Sequence, residues 1–199
     1  MKLAKTTCLL SIKENMMKKL AIILSDGFEE IEAVTVIDIL RRSGLTVEVL
    51  GLNETVITGA HGLQLEADDK FDYFGTLDCD GIVFAGGMKN AISLSNDSEV
   101  LRLIEFYNDN KKMIAGICAS PSILFTKTSI LNDKNVTCYP SQELISNLKN
   151  CNYVDKCVVV CDNIITSQSP YTSMAFALSI VKYFGHDIES LQLELKGNL

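Results

Sequence analysis

Cys118 carries the chemistry most open to interpretation, within Met113-Ile114-Ala115-Gly116-Ile117-Cys118-Ala119-Ser120-Pro121. The apolar run reads as a buried strand, and Pro121 suits the first turn of a helix, where its missing N–H costs nothing. Small residues around the thiol allow a sharp turn, as in a nucleophile elbow, although the G-x-S-x-G pattern is not matched. A cysteine at a helix N-terminus faces unpaired N–H groups and the positive end of the dipole. The expected thiol pKa therefore falls from roughly 8.5 to about 5–7. The competing reading is a small core cysteine. Cys79, Cys138, Cys157 and Cys161 fit that role better, being on or near strands.

Two other clusters could serve such a thiolate. Gly86-Gly87 follows a buried run and offers backbone N–H groups for an oxyanion or a substrate carbonyl oxygen; alternatively it is a plain turn. Glu29-Glu30-Ile31-Glu32 opens a helical pattern. Acidic residues are ordinary at a helix start. One of these carboxyls could nevertheless face the thiol. Desolvation and like charge would raise its pKa, making it a hydrogen-bond donor to sulfur or a general acid/base.

The surrounding pattern alternates strands with helices. Strands are expected over residues 20–24, 46–50, 81–85, 113–117, 136–139, 158–161 and 164–167, with a hairpin over 55–66 around 59–62. Helices are expected over 30–43, 97–110, 120–127, 171–184 and 188–195. Ile31, Val34, Ile37, Ile39 and Leu40 are read as one apolar face of the first helix. Buried strands alternating with helices imply an α/β fold, with a mainly parallel sheet covered on both faces. Sites in such folds lie beyond the carboxyl ends of the strands. The loop after Leu24, Gly86-Gly87 and Cys118 all qualify.

Composition narrows the function. With 199 residues, 47% hydrophobic, the chain suits one domain with an ordinary core. A net charge of −7 argues against non-specific binding to nucleic acid or acidic membranes. Seven cysteines with two histidines match neither a disulfide framework nor a zinc pattern, so no metal and a reducing cytoplasm are expected. Residues 1–17 are read as a flexible N-terminal extension and 18–199 as the domain. The apolar patch at 8–12 is too short for a secretory core or a membrane span.

At these residues the sequence resembles the ThiJ/PfpI family, on the branch of the parkinsonism-associated DJ-one protein. The resemblance spans residues 18–195. It rests on Ser25-Asp26-Gly27-Phe28-Glu29-Glu30-Ile31-Glu32, Asp38-Ile39-Leu40-Arg41-Arg42-Ser43-Gly44, Ala85-Gly86-Gly87, the Cys118 segment, and Thr166-Ser167-Gln168-Ser169-Pro170. It implies a flavodoxin-like three-layer sandwich, a homodimer and no cofactor. By motif position Cys118 is the oxidisable nucleophile, Glu32 the protonated carboxyl, and Gly87 and Ala119 donors around the substrate oxygen. His61 falls where relatives carry a basic residue reaching the site from the hairpin; its other reading is a solvated turn histidine.

Three departures matter. Ala119 stands where the peptidase-like branch has histidine, which disfavours a cysteine peptidase. Tyr139 occupies the place of another histidine, and Tyr171 replaces the last glycine of a Gly-Pro-Gly, adding bulk at the rim. The implied activity is a glyoxalase or deglycase acting on 2-oxoaldehydes or early glycation adducts. The alternative is a redox sensor or stress chaperone oxidised at Cys118. An older association with thiazole phosphate synthesis finds no phosphate loop here.

Overall fold

The computed structural model describes residues 18–197. The expected extension at 1–17 lies outside the described residues. At the centre is strand β1 (Lys19–Leu24), whose residues alternate between two cores. Leu20, Ile22 and Leu24 face one layer, and Ala21 and Ile23 the other. This double burial explains the continuous apolar run.

Helix α1 (Glu30–Arg42) follows, then β2 (Thr46–Gly51), the hairpin strands β3 (Val56–Thr58) and β4 (Gln64–Glu66), and the edge strand β5 (Asp69–Lys70). The short α2 (Tyr73–Thr76) leads to β6 (Gly81–Phe84), α3 (Met88–Ser95), α4 (Ser98–Asp109) and β7 (Met113–Ile117). Next come α5 (Ser120–Ile123), β8 (Asn135–Val136), α6 (Gln142–Asn147), β9 (Asn152–Tyr153), β10 (Val158–Cys161) and β11 (Ile164–Ser167). Helices α7 (Ser173–Tyr183) and α8 (Ile188–Lys196) close the described chain.

The main sheet has seven strands in the order β10-β11-β7-β6-β1-β2-β5. All pairs are parallel except β10 with β11. Its central strands follow the flavodoxin-like order, and α1, α7 and α8 cover one face while α3, α4 and α5 cover the other. The expected three-layer sandwich is therefore present. The chain reverses direction across the sheet between β1 and β6, so their carboxyl ends form the switch-point crevice.

Several local expectations change. The buried face of α1 is Glu32, Ala33, Val36, Ile37, Ile39 and Leu40, while Ile31 and Val34 are 57% and 43% exposed. The buried stripe therefore begins with a carboxyl group, that of Glu32. The expected strand at 136–139 stops at Val136. Beyond it, the Thr137 N–H donates to Thr166 Oγ1 at 2.9 Å and the Tyr139 N–H to the Cys118 carbonyl at 2.9 Å, outside any ladder. The expected helix at 120–127 divides after Ile123 into a 3₁₀ turn at Phe125–Lys127. There the Thr126 hydroxyl takes the Ser122 carbonyl at 2.6 Å, and the last bonds run i to i+3. The expected helix at 171–184 likewise begins as a 3₁₀ turn, Pro170–Thr172. Helices α3 and α6 were not anticipated from the pattern. No helix among the described residues is long and apolar enough to cross a membrane.

Candidate active site

Cys118 stands one residue past β7 with φ +63°. For a residue with a Cβ, this left-handed backbone costs about 1–2 kcal/mol, so the surroundings must hold it. They do so from both sides. The Cys118 N–H donates to the Ser167 carbonyl at 3.0 Å, and its carbonyl accepts the Tyr139 N–H. Ser120, fully buried, donates through Oγ to the Ala85 carbonyl at 2.6 Å, tying the elbow to the end of β6. The thiol is half-buried.

The loop after β6 is shaped around that sulfur. A Cβ on Gly86 would lie 2.4 Å from Glu32 Oε2, 2.5 Å from Cys118 Cβ and 3.1 Å from Cys118 Sγ. Gly87 has φ +87°, and a Cβ there would meet the Gly27 carbonyl at 2.1 Å. Only glycine fits at either position. The N–H groups of Gly87 and Ala119 both act on the Cys118 sulfur and favour its charged form. Gly86 differs from expectation: its N–H donates to Glu32 Oε2 at 2.7 Å and is not open to a substrate oxygen.

Glu32 is fully buried in the first turn of α1. Glu29 caps that turn, its Oε2 accepting the Glu32 N–H at 2.8 Å. Burial pushes the Glu32 carboxyl up to about 8, and the negative charge of Glu29 adds to the rise; hydrogen bonds from Cys118 and Gly86 oppose it. Glu32 Oε1 is buried without a partner of hydrogen-bond geometry, while the Cys118 sulfur is within reach of the carboxyl. A protonated Glu32 has its proton to place on that oxygen.

The expected low thiol pKa is not met. Burial pushes the Cys118 thiol up, and an ionised Glu32 pushes it further. Helix α5, only four residues long, supplies little dipole to set against this. Thiol and carboxyl compete for ionisation in one buried space and cannot both be charged there. Burial raises both groups, so near neutral pH the pair holds at most one negative charge, and sulfur is nucleophilic only in the fraction that places it there, thiolate beside carboxylic acid.

The other expected residues are dispersed. His61 is exposed at the hairpin tip, its Nδ1 2.8 Å from Glu30 Oε2 and its N–H donating to Glu30 Oε1 at 2.5 Å. It latches the hairpin to α1, helped by Gly27 N–H to the Thr58 carbonyl at 2.7 Å and Ala60 N–H to the Phe28 carbonyl at 2.8 Å. Tyr139 reaches Cys118 through its backbone, with its residue 43% exposed. Tyr171 is 94% exposed on the 3₁₀ turn after β11. His186 pairs with the Ser43 carbonyl at 2.7 Å, so neither histidine contacts Cys118. An open groove of about 390 Å³, lined by Gly27, Gly59, Ala60, Met88 and Lys89, runs beside Gly87.

One positioning residue was missed. Asn90, fully buried on α3, donates to the carbonyls of Ala85 at 2.9 Å and Gly86 at 3.2 Å and accepts the Ser25 N–H at 2.7 Å. It ties the ends of β1 and β6 together. The only sequence signal was a polar residue three positions beyond Gly-Gly, which is too common to weigh.

Fold and site together define a flavodoxin-like α/β protein built around an elbow cysteine and a buried carboxyl. The chain belongs to the DJ-1/PfpI family, whose model matches residues 18–183. It is 34% identical over 171 residues to protein dj-1beta of Drosophila melanogaster, covering 84% of this chain and 89% of that one. The crystal structure of Drosophila melanogaster DJ-1beta superposes with a TM-score of 0.81 at 32% identity, covering 89% of this chain and 95% of that one. Protein DJ-1 homolog B of Arabidopsis thaliana is 33% identical over 172 residues, 85% of this chain. The chain spans only 39% and 43% of the lengths of the two Arabidopsis relatives, homologs B and A.

Proposed function

We propose that the protein is a cofactor-free, cysteine-dependent enzyme acting on reactive 2-oxoaldehydes or early glycation adducts. The observation that carries this reading is the Cys118–Glu32 pair, with one carboxyl oxygen fixed by Gly86 and the other unpartnered. The Cys118 thiolate adds to the aldehyde carbon of methylglyoxal, and Glu32 delivers its proton to the resulting oxyanion, giving a hemithioacetal. The N–H groups of Gly87 and Ala119 stabilise the oxyanion as it forms. Glu32, now a carboxylate, removes the C1 proton to give an enediol and, after exchange of its own proton with solvent, protonates C2, leaving a thioester of the 2-hydroxy acid. Water cleaves the thioester, so methylglyoxal plus water becomes lactate and the thiol is regenerated. A glycation adduct would enter through the same covalent step.

The working protein in this reading is a cytoplasmic homodimer without metal. Exposed Ile31 and Val34 on α1 support a second copy packing there. The reading is tested by lactate release from methylglyoxal without glutathione: turnover should be lost in Cys118→Ser.

The absence of a histidine contact to Cys118 favours a second reading over a peptidase. In it the protein is a redox sensor or stress chaperone. Peroxide oxidises the thiolate to sulfenic and then sulfinic acid, and protonated Glu32 donates a hydrogen bond to the product. A Cys118 sulfinate under mild peroxide, with no aldehyde turnover, would establish that role instead.

A further inference from the structure

Along α5 and α6, two adjoining grooves of about 460 and 170 Å³ share Thr126, Asn147 and Lys149, and Cys118 lines neither. The chain carries a net charge of −7, yet no Asp or Glu lines either cavity among the described residues. Lys127 and Lys149 do, and neither makes an ion pair among the described residues. The amides of Asn132 and Asn150 extend the donor set into the smaller cavity.

The floor is prearranged. Ser122 is 1% exposed; its Oγ donates to the Leu144 carbonyl at 2.7 Å and accepts from Asn147 Nδ2 at 3.2 Å. This fixes the Asn147 amide and leaves Oδ1 as an acceptor. Thr126 Oγ1 spends its proton on the Ser122 carbonyl, so it too can only accept. The lining thus offers two cationic donors, Lys127 and Lys149, together with the acceptors Thr126 Oγ1 and Asn147 Oδ1. A bare anion would satisfy the first set and leave the second unused. A neutral polyol would do the reverse.

We propose that this groove binds a small molecule carrying both a phosphate and several hydroxyl groups, of the sugar-phosphate class. Lys127 and Lys149 take the phosphate; Thr126 Oγ1 and Asn147 Oδ1 take hydroxyl protons. The site is separate from Cys118 and does not depend on the aldehyde chemistry.

Isothermal titration of the full chain with sorbitol 6-phosphate tests this, since that probe has no carbonyl for Cys118 to attack. Saturable binding is expected, with inorganic phosphate and sorbitol each weaker. The double variant Lys127→Gln/Lys149→Gln changes only exposed side chains and should keep the melting temperature while weakening binding by at least about tenfold. Cys118→Ser should bind as wild type. No saturable binding, equal binding by the double variant, or inorganic phosphate binding as tightly as sorbitol 6-phosphate would each overturn the proposal.

Discussion

Glu32 Oε2 accepts the Gly86 N–H at 2.7 Å, across the gap between the first turn of α1 and the end of β6. That bond fixes one carboxyl oxygen and decides which is left for sulfur. It also requires glycine at 86. Gly86→Ala would place a methyl 2.4 Å from Oε2 and 2.5 Å from Cys118 Cβ, so the pair must separate. The expected result is a fall of about 10²-fold in kcat/KM, with about 1–3 kcal/mol lost in denaturant unfolding.

Glu32→Gln keeps the shape and removes the mobile proton. Turnover should fall by about 10²–10⁴-fold, read as kcat on methylglyoxal. Stability should show the opposite sign. The folded pKa of Glu32, about 8, lies above its ordinary value of 4.5, so the folded state holds the proton more tightly. The stability this provides is complete below about pH 4.5 and is lost as pH rises toward 8. Wild type should therefore lose stability relative to Glu32→Gln between pH 5 and 8, at most about 1.4 kcal/mol per pH unit. Parallel melting curves across that range would remove the buried-acid assignment.

Asn90→Ala should leave the Ser25 N–H without its buried acceptor, while the Ala85 carbonyl keeps the Ser120 hydroxyl and the Gly86 carbonyl keeps the Glu29 N–H. A loss of about 1–3 kcal/mol is expected on chemical denaturation. Asn90→Asp keeps the acceptor for Ser25 but not the donors, and should recover only part of it. A drop in kcat with KM little changed would identify Asn90 as positioning the Gly86–Glu32 contact.

His61 and Glu30 should report on the hairpin rather than on the chemistry. The hydrogen bond to Glu30 raises the His61 pKa; burial pushes Glu30 up, but the bonds from His61 hold it down to about 2. The support from His61 is therefore complete below the ordinary imidazole value of 6.5 and fades as pH rises through the raised one. At the acid end it is lost as pH falls toward 2. Amide hydrogen exchange at the β3–β4 turn should quicken in His61→Ala, and above neutral pH in wild type. Turnover of His61→Ala in the proposed reaction should stay within about twofold, because the exposed imidazole pairs with Glu30 and does not contact Cys118. A loss of a hundredfold would make His61 part of the chemistry.

Much of the sheet was legible because β1, β6 and β7 are buried on both faces and read as nearly uninterrupted apolar runs, while β2 alternates through exposed Thr46 and half-buried Glu48 and β11 ends in buried Thr166 and Ser167. Short elements were less visible: α3 mixes Lys89, Asn90 and Ser93 with its apolar residues, and α6 is a six-residue polar helix. Cys118, Glu32 and Gly87 were readable because each sits at a strand end or helix start and also falls within a resembling motif. Its pKa was not. The sequence announces the helix after Cys118 but not that it stops after one turn, nor that the half-buried sulfur lies against a fully buried carboxyl. The bond that occupies the Gly86 N–H is a tertiary contact across 54 positions, beyond any local pattern.

The central claim is that Glu32 carries a proton between two carbons of a substrate held on Cys118. Methylglyoxal turnover in deuterium oxide, with lactate analysed by NMR, tests it most directly. A carboxyl shuttle exchanges its proton with solvent, so the account predicts lactate carrying deuterium at C2, formed by wild type and abolished in Cys118→Ser. Lactate bearing only the original aldehyde hydrogen at C2 would show a direct hydride shift and contradict the role given to Glu32.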